Sequence, residues 1–403
     1  YGDVIVGAPK AEEGGDAVDE GVVYVYYGSS TGLSSTADWV MDCDQDAAYY
    51  GGSVSSAGDV NGDGCSDVIV GAPYAEDGVT GVNEGVVYVY YGSETGLSSS
   101  PDWVMDRDQD DMYFGWSVSS AGDVNGDGYS DVIIGAPCYD GGDTDEGAAY
   151  VYYGSASGPS TTYDWMGEGN QARAEFGHSV SSVGDVNGDG YSDVIVSAPY
   201  AENAWVGVDE GAVYVYYGSE TGLSSSPDWV MDCDQDTAYY GWSVACAGDV
   251  NGDGYSDVIV GAPEAEEGGD ATDEGVVYVY YGSASGLPAN PDWIMDCDQD
   301  SVKYGWSVSS AGDVNGDGYS DVIIGAEYYD GGEGAAFVYY GSASGISSVG
   351  YTNDGGQDYA FYGISVACAG DVNGDGYSDV IVGAPRYDNG ETDEGVAFVY
   401  YGS

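Results

Sequence analysis

Aspartate and asparagine recur in this chain at a spacing suited to grip a hard cation. In DVNGDGCSD, Asp59, Asn61, Asp63 and Asp67 put side-chain oxygens at positions 1, 3, 5 and 9, with Gly64 at the sixth. Alternate positions converge on one centre where the backbone coils, and the glycine permits the sharp turn. Hard oxygen donors in this number select Ca²⁺ over transition metals, and three carboxylates offset its charge. The backbone carbonyl at position 7, here Cys65, completes the expected shell. The set returns as Asp123, Asn125, Asp127, Tyr129 and Asp131, and as Asp185, Asn187, Asp189, Tyr191 and Asp193. It returns again as Asp249, Asn251, Asp253, Tyr255 and Asp257, and as Asp313, Asn315, Asp317, Tyr319 and Asp321. The last copy is Asp371, Asn373, Asp375, Tyr377 and Asp379. A metal-free Asx turn would explain one such loop. Six loops with every oxygen retained point to about six Ca²⁺ sites.

Other chemistry is scarcer. DCDQD or DRDQD places Asp42, Asp44 and Asp46, and likewise Asp106, Asp108 and Asp110, Asp232, Asp234 and Asp236, and Asp296, Asp298 and Asp300, before the next repeat. Two repeats lack the pattern, so it reads as a solvated acidic loop rather than a second cation site. Gln45 and its equivalents Gln109, Gln171, Gln235, Gln299 and Gln357 recur in all six and suggest a structural hydrogen bond to the neighbouring unit. His178 is the only histidine, and Lys10, Lys303, Arg107, Arg173 and Arg386 do not cluster in sequence. Carboxylates are too abundant for any pair to mark a glycosidase. The expectation is a protein that is not an enzyme.

The loops must be held by strands. They begin 58 to 64 residues apart, and each period holds four strand-like runs. In one unit these are Tyr50 to Ser56, Asp67 to Val70, Val86 to Tyr91, and a short run from Asp102-Trp103. VVYVYY alternates, as a strand with two unlike faces does, whereas VIV and VII are continuously apolar, as in a strand buried on both faces. Gly, Pro, Ser and Asp fill the gaps, and nothing has helical periodicity. Repeated four-stranded antiparallel units predict an all-β, seven-bladed β-propeller. The second and third strands occur seven times, the first and fourth six times, so the closing strands are expected outside this segment. The reading is a single domain over 1–403, with blades of roughly 1–49, 50–113, 114–175, 176–239, 240–303, 304–361 and 362–403. Tyr1 falls inside a motif, so a longer chain is expected. Trp39, Trp103, Trp165, Trp229 and Trp293 open the fourth strands, and Trp116, Trp242 and Trp306 follow the glycine of the first. Their fixed places predict packing between blades.

These residues carry a resemblance. The pattern is similar to the FG-GAP repeats of integrin α-subunit propellers and their bacterial and archaeal relatives. The first half stands here as Tyr50-Gly51, Phe114-Gly115, Phe176-Gly177, Tyr240-Gly241, Tyr304-Gly305 and Tyr362-Gly363, and the second as Gly7-Ala8-Pro9 and its repeats. Ser197-Ala198-Pro199 and Gly325-Ala326-Glu327 depart from it. The resemblance covers essentially the whole chain. It implies a seven-bladed propeller, calcium between the first and second strands of a blade, and an extracellular or cell-surface setting. The loops also look like the first half of an EF-hand, but Val70 stands where its closing glutamate would be, and strands flank them.

Charge narrows the partners. Asp plus Glu number 71 against 5 Lys plus Arg, a net −66 over 403 residues. Such a chain repels nucleic acid and anionic lipid and attracts divalent cations or basic partners. No apolar run is long enough to span a membrane. Of the seven cysteines, Cys43, Cys233 and Cys297 share one place in three repeats and Cys246 and Cys368 another in two, too far apart for disulfides, and all seven read as free thiols. The functional expectation is binding at a cell surface, to another protein or a glycan, or self-assembly, without nucleic acid or membrane insertion. The alternative is a non-catalytic recognition domain of a larger secreted hydrolase.

Overall fold

The computed structural model describes residues 1–12, 19–76, 82–202, 208–266, 273–297, 299–348 and 350–403. Seven antiparallel sheets follow one another along the chain. The first contains β1 (Val4–Ala8), β2 (Val22–Tyr26) and β3 (Trp39–Met41). The second contains β4 (Ser53–Gly58), β5 (Asp67–Ala72), β6 (Val86–Tyr90) and β7 (Trp103–Asp106). The third runs β8 (Ser117–Gly122), β9 (Asp131–Ala136), β10 (Ala148–Tyr152) and β11 (Trp165–Glu168). The fourth runs β12 (Val180–Gly184), β13 (Asp193–Ala198), β14 (Ala212–Tyr216) and β15 (Trp229–Asp232). The fifth runs β16 (Ser243–Gly248), β17 (Asp257–Ala262), β18 (Val276–Tyr280) and β19 (Trp293–Met295). The sixth holds β20 (Tyr304–Gly312), β21 (Asp321–Ala326), β22 (Ala335–Tyr339) and β23 (Gly350–Asp354), and the seventh β24 (Ser365–Gly370), β25 (Asp379–Ala384) and β26 (Val396–Tyr400).

This is a seven-bladed β-propeller. The first strands β4, β8, β12, β16, β20 and β24 lie side by side around the axis. Among the described residues, five blades have four strands, and the first and last have three. The ring still meets end to end: Gly2 N donates to Asp371 O at 2.7 Å and Ser29 N to Val372 O at 3.1 Å. Among the described residues the one helical segment is a four-residue turn at Tyr329–Gly332.

The core is a set of layers between blades. One cluster joins Ile133, Ala149 and Val151 of the third blade to Val194, Val196 and Phe176 of the fourth. Strands β9, β13, β17 and β21 are buried along their whole length, which their Val and Ile runs require. The two glycines of the repeat meet across these layers: the carbonyl of Gly115 lies where a β-carbon on Gly71 would stand. Ser197 occupies the equivalent place in the fourth blade and is fully buried there, its hydroxyl accepting from Ser179 N at 3.0 Å. Whereas in the sixth blade β20 begins at Tyr304, in the second blade the first strand starts later than the sequence implied, at Ser53 rather than the equivalent Tyr50. Tyr49 (φ 53°) and Gly51 (φ 79°) turn the chain there, and Tyr50 is buried with its N–H donating to Glu20 O at 2.9 Å.

Candidate metal loops and the opposite end of the ring

Each metal-type loop joins a first strand to a second strand. In the third blade, Asp123 Oδ1 accepts from Gly126 N (2.7 Å) and Asp127 N (3.1 Å), and Oδ2 from Gly128 N (2.9 Å). Asn125 Oδ1 accepts from Asp127 N at 2.8 Å, and Asp127 Oδ1 from Tyr129 N at 3.1 Å. Backbone N–H groups thus draw four oxygens of three side chains into one exposed turn. The ninth-position aspartate behaves differently. Asp131 is fully buried; Oδ2 accepts from Val124 N and Oδ1 from Gly154 N, both at 2.9 Å. It ties the loop to the end of the third strand. All six copies repeat these two bonds. Asp3 supplies the equivalent bond in the first blade, accepting from Gly28 N at 2.8 Å. Burial pushes the carboxyls of Asp131, Asp193 and Asp257 up to about 7, against the pull of their backbone donors.

The donor chemistry fits a hard cation: carboxylate and amide oxygens, with a buried carboxylate at the base. Asp59, Asn61, Asp63 and Asp67 and their five equivalents could supply it. In this structure those oxygens face backbone N–H groups, and among the described residues no three His, Cys, Asp or Glu side chains gather at metal-holding distance. At position 7 only the carbonyl is on offer, because the tyrosine rings are used elsewhere. Tyr129 lies over Gly62 of the preceding loop, Tyr191 over Gly126, Tyr255 over Gly188, Tyr319 over Gly252 and Tyr377 over Gly316. Tyr1 takes the same seat over Gly374, so the contact runs round the ring. The loops are also bonded in series: Ser130 N donates to Asp59 O (2.9 Å) and Asp59 N to Ser130 Oγ (3.1 Å).

The acidic DCDQD loops lie at the other end. Gln45 Nε2 donates to Glu76 O (2.8 Å) and Gln45 Oε1 accepts from Glu76 N (2.7 Å), tying the loop to the next blade. Gln109, Gln171, Gln235 and Gln357 do the same. Asp298 and most of the stretch from Ala11 to Gly21 lie outside the described residues. The sequence reading missed the glutamates before the third strands. Glu20, Glu84, Glu146, Glu210 and Glu274 are all buried, and Glu146 Oε1 accepts from Gly141 N (2.7 Å) and Gly142 N (2.5 Å). Their signal was a Glu-Gly pair directly before each of the seven third strands, in the same register every time.

Tryptophans do pack between blades. Trp39, Trp103, Trp165, Trp229 and Trp293 meet Tyr90, Tyr152, Tyr216, Tyr280 and Tyr339 of the next blade edge-on, with centroids 4.7 to 5.4 Å apart. The second set makes an arc at the axis, opposite the metal-type loops. Trp116 and His178 are 6.0 Å apart, His178 and Trp242 4.7 Å, and Trp242 and Trp306 4.7 Å. His178 is therefore held between aromatic rings, with Glu175 3.4 Å from Nδ1. Lys303 lies 5.1 Å above Trp306 and pairs with Glu264 at 3.0 Å. All seven cysteines are free.

Comparison with known proteins agrees with this architecture. A family model described as "FG-GAP repeat" matches residues 50–90, 114–152, 176–216, 240–280, 304–339 and 363–400. Integrin alpha-5 of Xenopus laevis is 32% identical over 226 residues, 54% of this chain and 20% of that protein. Integrin alpha-V of Gallus gallus is 34% identical over 227 residues, again 54% and 20%. Phosphatidylinositol-glycan-specific phospholipase D of Bos taurus is 38% identical over 180 residues, 42% of this chain and 21% of that one. The chain thus spans about a fifth of the length of these relatives. A rhamnogalacturonan lyase structure from Bacillus licheniformis overlaps at a TM-score of 0.36 and 12% identity, covering 100% of this chain and 85% of that one, a likeness too weak to argue from.

Proposed function

The chain belongs to the FG-GAP repeat family, and on that premise we propose that it is a calcium-stabilised binding module of the cell surface or extracellular space, serving adhesion or surface assembly without catalysis. One observation carries the reading. Six loops offer the same four oxygen side chains; five are bonded to the loop of the next blade, and the sixth, at Asp371, to Gly2 of the first blade. An ion in such a loop would hold its own strands and, through them, its neighbour. In the Mechanism this implies, Ca²⁺ supplies only charge neutralisation. The chain's own residues do the rest: Asp131 and its equivalents fix the loop to the third strand, and the position-7 residue would offer its backbone carbonyl. Extracellular calcium is abundant enough to fill loops of moderate affinity.

The partner of this reading is another protein or a glycan at the surface, or a second copy bridged through calcium. The net −66 argues against nucleic acid, and no helix among the described residues is long and apolar enough to cross a membrane. A second reading, a recognition domain of a larger secreted hydrolase, is favoured by the 38% identity to the phospholipase D.

The test is the melting temperature and the particle mass, each in millimolar calcium and in excess chelator. Calcium on native loops alone stabilises by mass action, so chelation is expected to lower the melt sharply. An unchanged melt overturns the calcium reading. A mass that rises with calcium supports assembly through bridged acidic faces. A folded monomer in calcium rejects assembly and leaves a recognition head.

A further inference from the structure

In a chain of near-identical repeats, a position that changes kind from blade to blade stands out. Around each Tyr/Phe-Gly pair the glycine and the Ser-Val that follows one residue later stand in all six copies. The residue before the pair does not: it is Tyr49, Tyr113, Glu175, Tyr239, Lys303 or Phe361. The residue after it is a tryptophan in three blades, but Gly52, His178 and Ile364 in the others. The residue after Gly-Ala-Pro or its variants runs from Lys10 and Tyr74 to Glu264 and Arg386. No two blades carry the same trio.

The fold gathers these three positions into one belt at the axis, at the end opposite the metal-type loops. Lys10 lies 5.7 Å above Tyr49, Tyr49 meets Tyr74 at 4.8 Å, and Tyr74 meets Tyr113 of the next blade at 5.1 Å. Tyr113 leads to the arc of Trp116, His178, Trp242 and Trp306, and beyond it Arg386 lies 4.9 Å above Phe361. The belt departs from the rest of the chain in charge. Six positions before the pair, six after it and seven after Gly-Ala-Pro hold three basic side chains and two acidic ones, against 5 and 71 in the whole chain. Glu327, whose carboxyl feels both Lys303 and Arg386, makes the count even. A chain of −66 thus ends its axis in a mouth that is nearly neutral.

We propose that this mouth binds a neutral glycan several sugar rings long. The proposal rests on reading the chain as a binding module and names which kind of partner the module takes. Sugar rings have C–H faces that pack on the electron-rich face of an aromatic ring, and hydroxyls that donate to carboxylates and phenols. The belt offers both. Trp116 is 37% exposed and Tyr328 41%, Glu175 stands 3.4 Å from His178, and Tyr113, Tyr200 and Tyr239 carry hydroxyls. A basic ligand would find cation seats already taken, since Lys10, Lys303 and Arg386 each lie over a ring of the belt. An acidic ligand is repelled by the chain as a whole. Rings packed on one another are in place before the ligand arrives, so little ordering remains to oppose binding. Because the trio differs in every blade, the seat is asymmetric and sets one direction for the glycan.

The test is a glycan array probed in calcium with the labelled 403-residue chain, carrying neutral chains beside their uronate and amino-sugar counterparts and an oligolysine spot. Bound glycans are then titrated by calorimetry against the parent, Trp116→Ala, Tyr328→Ala, and Tyr351→Ala on the rim strand β23. The expected result is saturable binding of neutral chains, weakened at least roughly tenfold by Trp116→Ala or Tyr328→Ala, as loss of a hot-spot aromatic does, and unchanged by Tyr351→Ala. Both belt residues are exposed, and melts equal to the parent's show that the loss is not unfolding. Binding confined to amino sugars and oligolysine marks a seat for a basic protein segment and overturns the proposal. So does binding indifferent to both belt variants, or no binding to any glycan. The melt in calcium and in chelator, taken on the same samples, judges the calcium-stabilised module separately.

Discussion

The ninth-position aspartates show how one side chain can serve structure and metal together. Asp131 is buried with both oxygens engaged by backbone donors. Asp131→Asn keeps the shape but turns an NH₂ toward one of those N–H groups. Leaving a buried donor unmatched costs about 1–3 kcal/mol, so this variant should melt early in denaturant even with chelator present. Asp127 lies on the exposed side of the same loop. Asp127→Asn should melt like the parent in chelator and fall short of it only in calcium. If both variants respond alike in chelator, the division between a structural and a metal-facing aspartate is wrong. Glu327 permits a test by pH, away from the loops. It stands where other blades have proline, and burial pushes its carboxyl up to about 7 despite Lys303 and Arg386. The native state then holds the proton more tightly than the unfolded chain does. Linkage makes the native state lose stability as pH rises from the ordinary value of 4.5 to about 7, with no further loss above. Glu327→Gln should flatten that slope, so melts of the two proteins should diverge across this window; parallel curves would refute the assignment.

Strands are where interface energy collects, and the fourth strand gives the clearest case. Trp229 is 8% exposed, packs 4.9 Å from Tyr280 of the next blade and donates to Pro288 O at 2.9 Å. Trp229→Phe keeps a ring and loses the donor, at a cost of about 0.5–1.5 kcal/mol. Trp229→Ala empties the layer between blades at about 3–5 kcal/mol. Chemical denaturation should rank the two in that order; because both variants lose the donor, equal losses would mean that the ring packing contributes nothing beyond the hydrogen bond. These strands were legible in the sequence because alternation in VVYVYY and the apolar run VIV state directly which faces are covered. Tyr50-Gly51-Gly52 was misread as strand, since local propensity does not reveal the left-handed turn at Tyr49 and Gly51. The four oxygen positions of each metal-type loop were legible from spacing alone. Their bonding in series was not, for Ser130 and Asp59 are 71 residues apart and only the ring brings them together. The arc from Trp116 to Trp306 was hidden for the same reason: a linear repeat gives positions within a blade, and radial neighbours appear only when the blades close.

The molecule as a whole must hold a net −66 in a compact ring, and two different remedies are available to it. Diffuse screening by any salt lowers repulsion between exposed carboxylates, because the Debye length falls to about 3 Å at molar salt. Site binding acts otherwise. A loop that takes calcium only when folded adds RT ln(1 + [L]/Kd), about 2.7 kcal/mol per site at a hundred times Kd, whatever the sodium concentration. The two remedies separate in one experiment: calcium titrated into the chain first in dilute buffer and then in molar sodium chloride, with the melting temperature read at each step. Sodium alone should raise the melt gradually, as repulsion is screened. Calcium should then raise it further and saturate, in both buffers. Magnesium should do less, because it demands octahedral geometry and gives up water reluctantly, while these loops offer a wide, irregular set of oxygens. If molar sodium abolishes the calcium step, the acid excess is a generic surface answered by generic ions. If the step survives and magnesium fails to reproduce it, the six loops are the sites, and the surrounding acid serves to draw the ion toward them.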